Sequence, residues 1–425
     1  MRIHTVVAMT LAAQAWAQPP TIDLPMALSR AREFSQQYLQ AQIAAGLAKE
    51  DRVQAKAALL PNVTAMSQYI YTQGNGTSSG VFVSNDGVHV YNDQAVLHAD
   101  LYSAAKRADF LRTQAAELAA RAKADIATRG LAASVIQNYY AVVTAQRHQT
   151  NAQRGLEEAR SFLEITQKQE KGGEVARADV LKAQLQHQQR RRDLLDAETA
   201  GQRARLALGV MLFADPLQPF NVTDDLSPDL PLPSLDEARG LINTSHPEVQ
   251  AAEAGVKQAQ AGISLAKATY YPTLTLDYFY GINANVFGIN GPEDRRNLGS
   301  VVQGTLSVPV WNWGATRSKI RQAELQRRQA EFDLNFTQRT LQSNLNSFHL
   351  EAQAARAQLD SLRGSLDMST ESLRLTTLRY QAGEATALEV VDAQTTLVAA
   401  RNAYDDGLTR YRLALANVQI LTGRY

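Results

Sequence analysis

Leu378-Arg-Tyr-Gln-Ala-Gly-Glu-Ala-Thr-Ala-Leu-Glu-Val-Val-Asp-Ala-Gln394 lies between two long helical patterns and contains one strong breaker, Gly383. A diluted copy runs from Gly173 to Gln184. Gly173, Glu174, Val180, Ala183 and Gln184 match Gly383, Glu384, Val390, Ala393 and Gln394 at a constant offset of 210. Two helical hairpins therefore stand at corresponding places in two halves of one chain.

The helices on either side can be read outward from these turns. Leu341, Leu345, Phe348, Ala352, Ala355, Leu359, Leu362, Leu366, Ser369, Leu373, Thr376 and Tyr380 alternate by fours and threes. That spacing is a heptad seam for a partner helix. Helix formers run from Ser103 to Lys171 and from Ala315 to Tyr380, each roughly 100 Å long at the rise of an α-helix. Shorter helices return over Glu174 to Phe213 and Ala385 to Leu421, and a further helical pattern covers Met26 to Leu60. None of the 13 prolines falls between Asn62 and Asp215 or after Pro309, whereas Pro216, Pro219, Pro228, Pro231 and Pro233 crowd one linker.

Beyond Pro61 the period changes to two. Val63, Ala65, Tyr69 and Tyr71 share a face; Asp86-Gly87 is a hairpin signal; Tyr91, Ala95, Leu97, Ala99 and Leu101 then face one way, with His98 and Asp100 on the other. The second half repeats this after Pro272. Leu274, Leu276, Tyr278 and Tyr280 alternate with Thr273, Thr275 and Asp277, and Val302, Leu306 and Val308 follow a loop containing Gly288, Gly291 and Pro292. Each half is thus helix, two strands, very long helix, hairpin, helix. The implied organisation is a leader at 1–17, a first repeat at 18–213 with strands within 62–101 and a hairpin at 172–174, a Pro-rich linker at 214–234, and a second repeat at 235–425 with strands within 272–309 and a hairpin at 382–384.

The leader reads as a secretory signal: Arg2, an apolar run from Val6 to Ala13, and the small-x-small site Ala15-Trp16-Ala17. No later window approaches the roughly 18 apolar residues of a membrane-crossing helix, so any membrane contact must come through a β-barrel. A net charge of +1 argues against a nucleic-acid-binding surface. The absence of cysteine excludes thiol catalysis, cysteine-ligated metal, disulfides and a lipidated cysteine, so the chain is not expected to be a lipoprotein. The seven histidines have no metal-site spacing, and no catalytic or cofactor motif is present. Four strands per chain cannot close a barrel, since about eight is the smallest that fills its own interior. Several copies sharing one barrel resolve this; two small hairpins packed on helices of a secreted coiled-coil scaffold are the alternative.

The chain resembles the TolC-type outer membrane factors, the exit ducts of tripartite efflux pumps and type I secretion systems. The resemblance is carried by the repeat, by Ala55-Lys56-Ala57-x-x-x-Pro61 and Ala266-Lys267-Ala268-x-x-x-Pro272, by Leu306-Ser307-Val308-Pro309-Val310-Trp311-Asn312-Trp313-Gly314, and by Tyr380-x-x-Gly383 through Asp392-Ala393-Gln394. It implies a mainly α chain with a membrane β-barrel, completed in a homotrimer as a 12-stranded β-barrel in outer membrane lipid above a 12-helix α-barrel. It also implies a periplasmic adaptor, a proton- or ATP-driven inner-membrane transporter, and cargo that ranges over drugs, metals and proteins.

Residue by residue, Glu389 and Asp392 match the acidic pore constriction of that family, and Asp179 and Tyr380 match a latch across neighbouring hairpins. Gly173, Glu174, Gly383 and Glu384 mark the turns where an adaptor docks. Ala385 departs from the pattern, because an arginine stands there in the latch; Arg177 and Arg379 are the candidate replacements. Without the resemblance, Glu389 and Asp392 read as an ordinary solvated helix face. Trp311 and Trp313 are expected to pack between helices rather than to anchor at a membrane interface.

Overall fold

The computed structural model describes residues 20–71, 89–242, 246–292 and 295–424. The expected leader and the Asp86-Gly87 hairpin lie outside these. The element order is β1 (Thr21–Ile22), α1 (Leu24–Phe34), α2 (Gln36–Ala57), β2 (Asn62–Tyr71), β3 (His89–Tyr102), α3 (Ala104–Gly172), α4 (Arg177–Leu212), β4 (Asn221–Val222), α5 (Leu235–Ile242), α6 (Pro247–Ala268), β5 (Thr273–Ala284), β6 (Leu298–Ser307), α7 (Ala315–Gln381) and α8 (Ala387–Thr422). The halves correspond closely: α2 and α6 both have 22 residues, α4 and α8 both have 36, and α3 and α7 have 69 and 67. The two compact units cut across this repeat, since each draws segments from both halves.

One unit comprises residues 41–125 and 247–340. Its four strands form a single antiparallel sheet in the order β2-β3-β5-β6, so the two predicted strand pairs join through β3 and β5. Val63 lies opposite Leu97, Tyr69 opposite Tyr91, Leu97 opposite Tyr278, and Tyr278 opposite Val302. Directly opposed residues share a face. One face therefore collects the tyrosines and aliphatic residues, and the other collects Gln68, Asn92, Gln94, His98, Asp277 and Gln303. His98 Nδ1 is 2.6 Å from Asp277 Oδ1, and Asp100 pairs with Lys106. His98 and Asp100 lie on the polar face, as the alternation requires. Asp277, from the other repeat, joins them.

The second unit comprises residues up to 40, 126–246 and 341 onward. Its largest core gathers Ile22, Tyr139, Tyr140, Leu208, Leu212, Phe220 and Val222. Each large apolar side chain buried there contributes roughly 1.5–3 kcal/mol. The linker is more structured than its prolines suggest: β4 pairs in parallel with β1, and Thr223 O accepts the Tyr139 hydroxyl at 2.7 Å. Arg147 grips Asp224 through two nitrogens, at 2.6 and 2.8 Å, and Asp405 at 3.0 Å.

Leu341, Leu345, Ala352, Ala355, Leu359 and Tyr380 of the heptad seam are buried, while His349 is buried next to the half-exposed Phe348. Three expectations need correction. The helix expected over 26–60 breaks at Ser35, whose backbone is extended and whose hydroxyl accepts the Tyr38 N–H at 3.4 Å. The returning helices begin two or three residues late, at Arg177 and Ala387, because the turns consume those residues. Trp311 and Trp313 do not pack between helices of the chain; they are 75% and 89% exposed.

Candidate functional site

The hairpin turns use one device twice. Gly173 has φ 78° and Gly383 has φ 76°, the left-handed conformation that a side chain resists. At the first turn the Gly173 N–H donates to Glu170 O and the Glu174 N–H to Gln169 O, both at 2.9 Å. At the second, the Gly383 N–H donates to Tyr380 O at 3.1 Å and the Glu384 N–H to Arg379 O at 2.8 Å. This nested pair is the Schellman closure of a helix. A Cβ added to either glycine would meet no atom within 4 Å, so both turns present open surface.

Beneath them Phe162, Ala183, Tyr380, Ala387 and Val390 form a small core, with Ala385 and Val175 packed on it. The Tyr380 and Phe162 rings meet edge to face at 5.1 Å. The Tyr380 hydroxyl donates to Thr166 Oγ1 at 3.3 Å. Burial pushes the phenol pKa up, and the Asp179 charge adds to the shift. Within one chain, then, Tyr380 is satisfied by Thr166, and Asp179 pairs with Lys182 at 3.6 Å.

Glu389 does more than the sequence reading assigned to it. Thr386 is the N-cap of α8: its hydroxyl accepts the Glu389 N–H at 3.3 Å, and the Glu389 carboxylate accepts the Thr386 N–H at 3.0 Å. This is a capping box, and the signature Thr386-x-x-Glu389 was legible in advance. Arg379 Nη1 lies 3.6 Å from Glu389 Oε2, and Nη2 donates to Glu384 O at 3.0 Å. The Thr386 hydrogen bonds, with Arg379 as a smaller contribution, hold the Glu389 pKa below the usual carboxylate range.

Asp392 is exposed and has no ion-pair partner among the described residues. Of the candidate replacement arginines, Arg177 pairs with Glu170 at 3.3 Å and Arg379 braces its own turn. At the 210 offset Asp179 is the counterpart of Glu389, but Ala176 stands where Thr386 does and α4 has no side-chain cap. Among the described residues no cluster of His, Asp or Glu is arranged to hold a metal, and no helix is long and apolar enough to cross a membrane.

A family model described as outer membrane efflux protein matches residues 27–212 and 240–424. The chain belongs to that family. It is similar to protein CyaE of Bordetella pertussis, with 28% identity over 82% of this chain and 72% of that protein. It is also similar to the cobalt-zinc-cadmium resistance protein CzcC of Cupriavidus metallidurans, with 27% identity over 69% of this chain and 67% of that one.

The fold matches solved outer membrane proteins. The CmeC channel of Campylobacter jejuni superposes with TM-score 0.81 at 16% identity, over 94% of this chain and 85% of that chain. VceC of Vibrio cholerae superposes with TM-score 0.80 at 19% identity, over 94% and 96%. The protein is an outer membrane export channel that extends into the periplasm, in a family of channels rather than enzymes.

Proposed function

We propose that three copies form one passive duct, opened at its helical tip by a periplasmic adaptor and supplied by an inner-membrane transporter. The carrying observation is the four-stranded sheet, whose outer strands β2 and β6 are each paired on one side only among the described residues. Open edges do not survive in hydrocarbon. Three such sheets joined edge to edge give twelve strands and leave a lumen. The helices flanking those edges support the same closure. On α2, Leu39, Ile43 and Leu47 are exposed; at the start of α7, Leu325, Phe332 and Phe336 are exposed. Each set follows helical spacing, as an unpartnered packing face does.

At the tip, Glu389 and Asp392 would become two rings of carboxylates, biasing the pore toward cations. Asp179 and Tyr380 would meet only across neighbouring copies, forming the latch. Gly173, Glu174, Gly383 and Glu384 would meet the adaptor. Energy and choice of cargo would come from the transporter.

Because the chain has no cysteine, one cysteine placed in β2 and one in β6 provide a clean test. Oxidation of outer-membrane vesicles should yield covalent trimers. A water-soluble monomer without cross-links would overturn the assembly.

A further inference from the structure

Near the end of α4 the sequence Arg203-x-Arg205-Leu206-Ala207-Leu208 recurs in α8 as Arg410-x-Arg412-Leu413-Ala414-Leu415, at an offset of 207. The two repeats use the second arginine differently. Arg412 Nε donates to the Tyr140 hydroxyl at 2.7 Å, and its guanidinium lies 5.4 Å from the centre of that ring. The Arg205 side chain has no hydrogen-bond or ion-pair partner among the described residues. Its Nε is nonetheless shielded from solvent and left unpaired. A buried donor without an acceptor is costly, more so on a charged group.

Arg205 stands in the wall of a hollow of about 400 Å³. Gln202, Arg205 and Leu206 supply the α4 side, on one helix face, and residues 216–221 of the linker supply the other. The linker doubles back tightly because Gly209 admits the Pro216 carbonyl oxygen, which would lie 2.7 Å from an added Cβ. Asp215 holds the turn. Its side chain accepts the Leu217 N–H at 3.0 Å, and its carbonyl accepts the Gln218 N–H at 3.2 Å. The pairing of β4 with β1 fixes the far end. No acidic residue and no second cation line the hollow, and Leu206 and Leu217 stand exposed at its walls. One guanidinium is thus set beside apolar surface and the amides of Gln202, Gln218 and Asn221.

We propose that this hollow binds the free carboxylate end of a short peptide. The planar fork of a guanidinium matches a carboxylate. The three amides suit the peptide groups next to that carboxylate, and Leu206, Leu217 and the two prolines suit a small apolar side chain. A single cation suits a monoanion with an apolar body better than a phosphate dianion. The volume lies within the range of small-ligand sites.

The probe is N-acetyl-alanyl-alanine, titrated calorimetrically into the full-length protein in detergent. Its C-terminal amide and inorganic phosphate serve as controls. The carboxylate should bind saturably in the millimolar range, and both controls at least about tenfold more weakly. Arg205→Gln should weaken peptide binding at least about tenfold. It should not lower thermal stability, because the arginine has no partner to lose. Arg412→Gln, at the corresponding place in the other repeat, should lower thermal stability and leave peptide binding unchanged. Absence of saturable binding, equal binding of peptide and amide, or undiminished binding to Arg205→Gln would overturn the site. So would a loss of thermal stability in Arg205→Gln, which would make the arginine a structural one. None of these readings depends on how many copies share a barrel.

Discussion

Replacing Asp392 by asparagine should abolish most cation selectivity at the tip, and replacing Glu389 by glutamine should do about the same by freeing the Arg379 charge to offset Asp392. The two carboxylates stand one helical turn apart, but their surroundings differ. Glu389 has the Arg379 guanidinium 3.6 Å away, so in the proposed pore that pair would be close to neutral. Asp392 has no such partner among the described residues.

Placed about 10 Å from the axis of the proposed pore, three unpaired carboxylates would raise the local cation concentration roughly eightfold in unscreened water, from Coulomb's law with a dielectric constant near 80. At about 0.1 M salt, where the screening length is about 10 Å, the enrichment falls to roughly twofold. Glu389→Gln keeps the capping box, since glutamine serves at that position, and it leaves Arg379 uncompensated.

The assay is the reversal potential of single channels in a salt gradient, at low and at high salt. Asp392→Asn should move it toward zero, with the larger effect at low salt, and so should Glu389→Gln, because the Arg379 and Asp392 charges then offset each other. If either variant keeps about half of the wild-type cation preference, both carboxylates act unpaired and the compensation by Arg379 is wrong. If neither substitution has an effect, both residues line a solvated face outside the constriction.

Three further outcomes follow from the helices. Ala176 has the extended backbone of an N-cap but no capping oxygen. Ala176→Thr should stabilise the first hairpin by about 1 kcal/mol, and Thr386→Ala should cost the second about as much; hydrogen exchange at the first turns of α4 and α8 reads both. Gly209→Ala should lower thermal stability by about 1–2 kcal/mol. Its Cβ would lie 2.7 Å from the Pro216 carbonyl oxygen, and that overpacking exceeds the helix-propensity gain. Gly130→Ala meets nothing within 4 Å and should gain up to about 1 kcal/mol.

Burial, with a smaller contribution from Arg129, lowers the His246 pKa from 6.5 to about 4. The folded state therefore binds this proton less readily than the unfolded state. Its contribution is complete above pH 6.5 and is lost as pH falls toward about 4, to a total of about 3 kcal/mol. His246→Gln should flatten that part of the stability profile, and an unchanged profile would remove His246 from the account.

Much of the architecture was legible because its signals are local. The 3.5-residue period ending at Tyr380 exposes one stripe to a partner wherever the helix lies. The two-residue period around Tyr278 sorts side chains onto two faces, and Gly173 and Gly383 are where the backbone needs positive φ. Thr386-x-x-Glu389 belongs to the same class of signal, a capping box readable from the sequence alone. The break at Ser35 carried no such mark, since serine is tolerated within helices.

Sequence by itself determined the repeat, the two hairpins and the strand faces, because spacing along a chain dictates which side chains share a face. Tertiary structure alone decided which of the two carboxylates has a paired charge, because that depends on Arg379 reaching Glu389 across a turn and not Asp392. It also turned Trp311 and Trp313 outward. Whether an indole is buried depends on the space that neighbouring elements leave, and the seven-residue junction after β6 leaves these two uncovered.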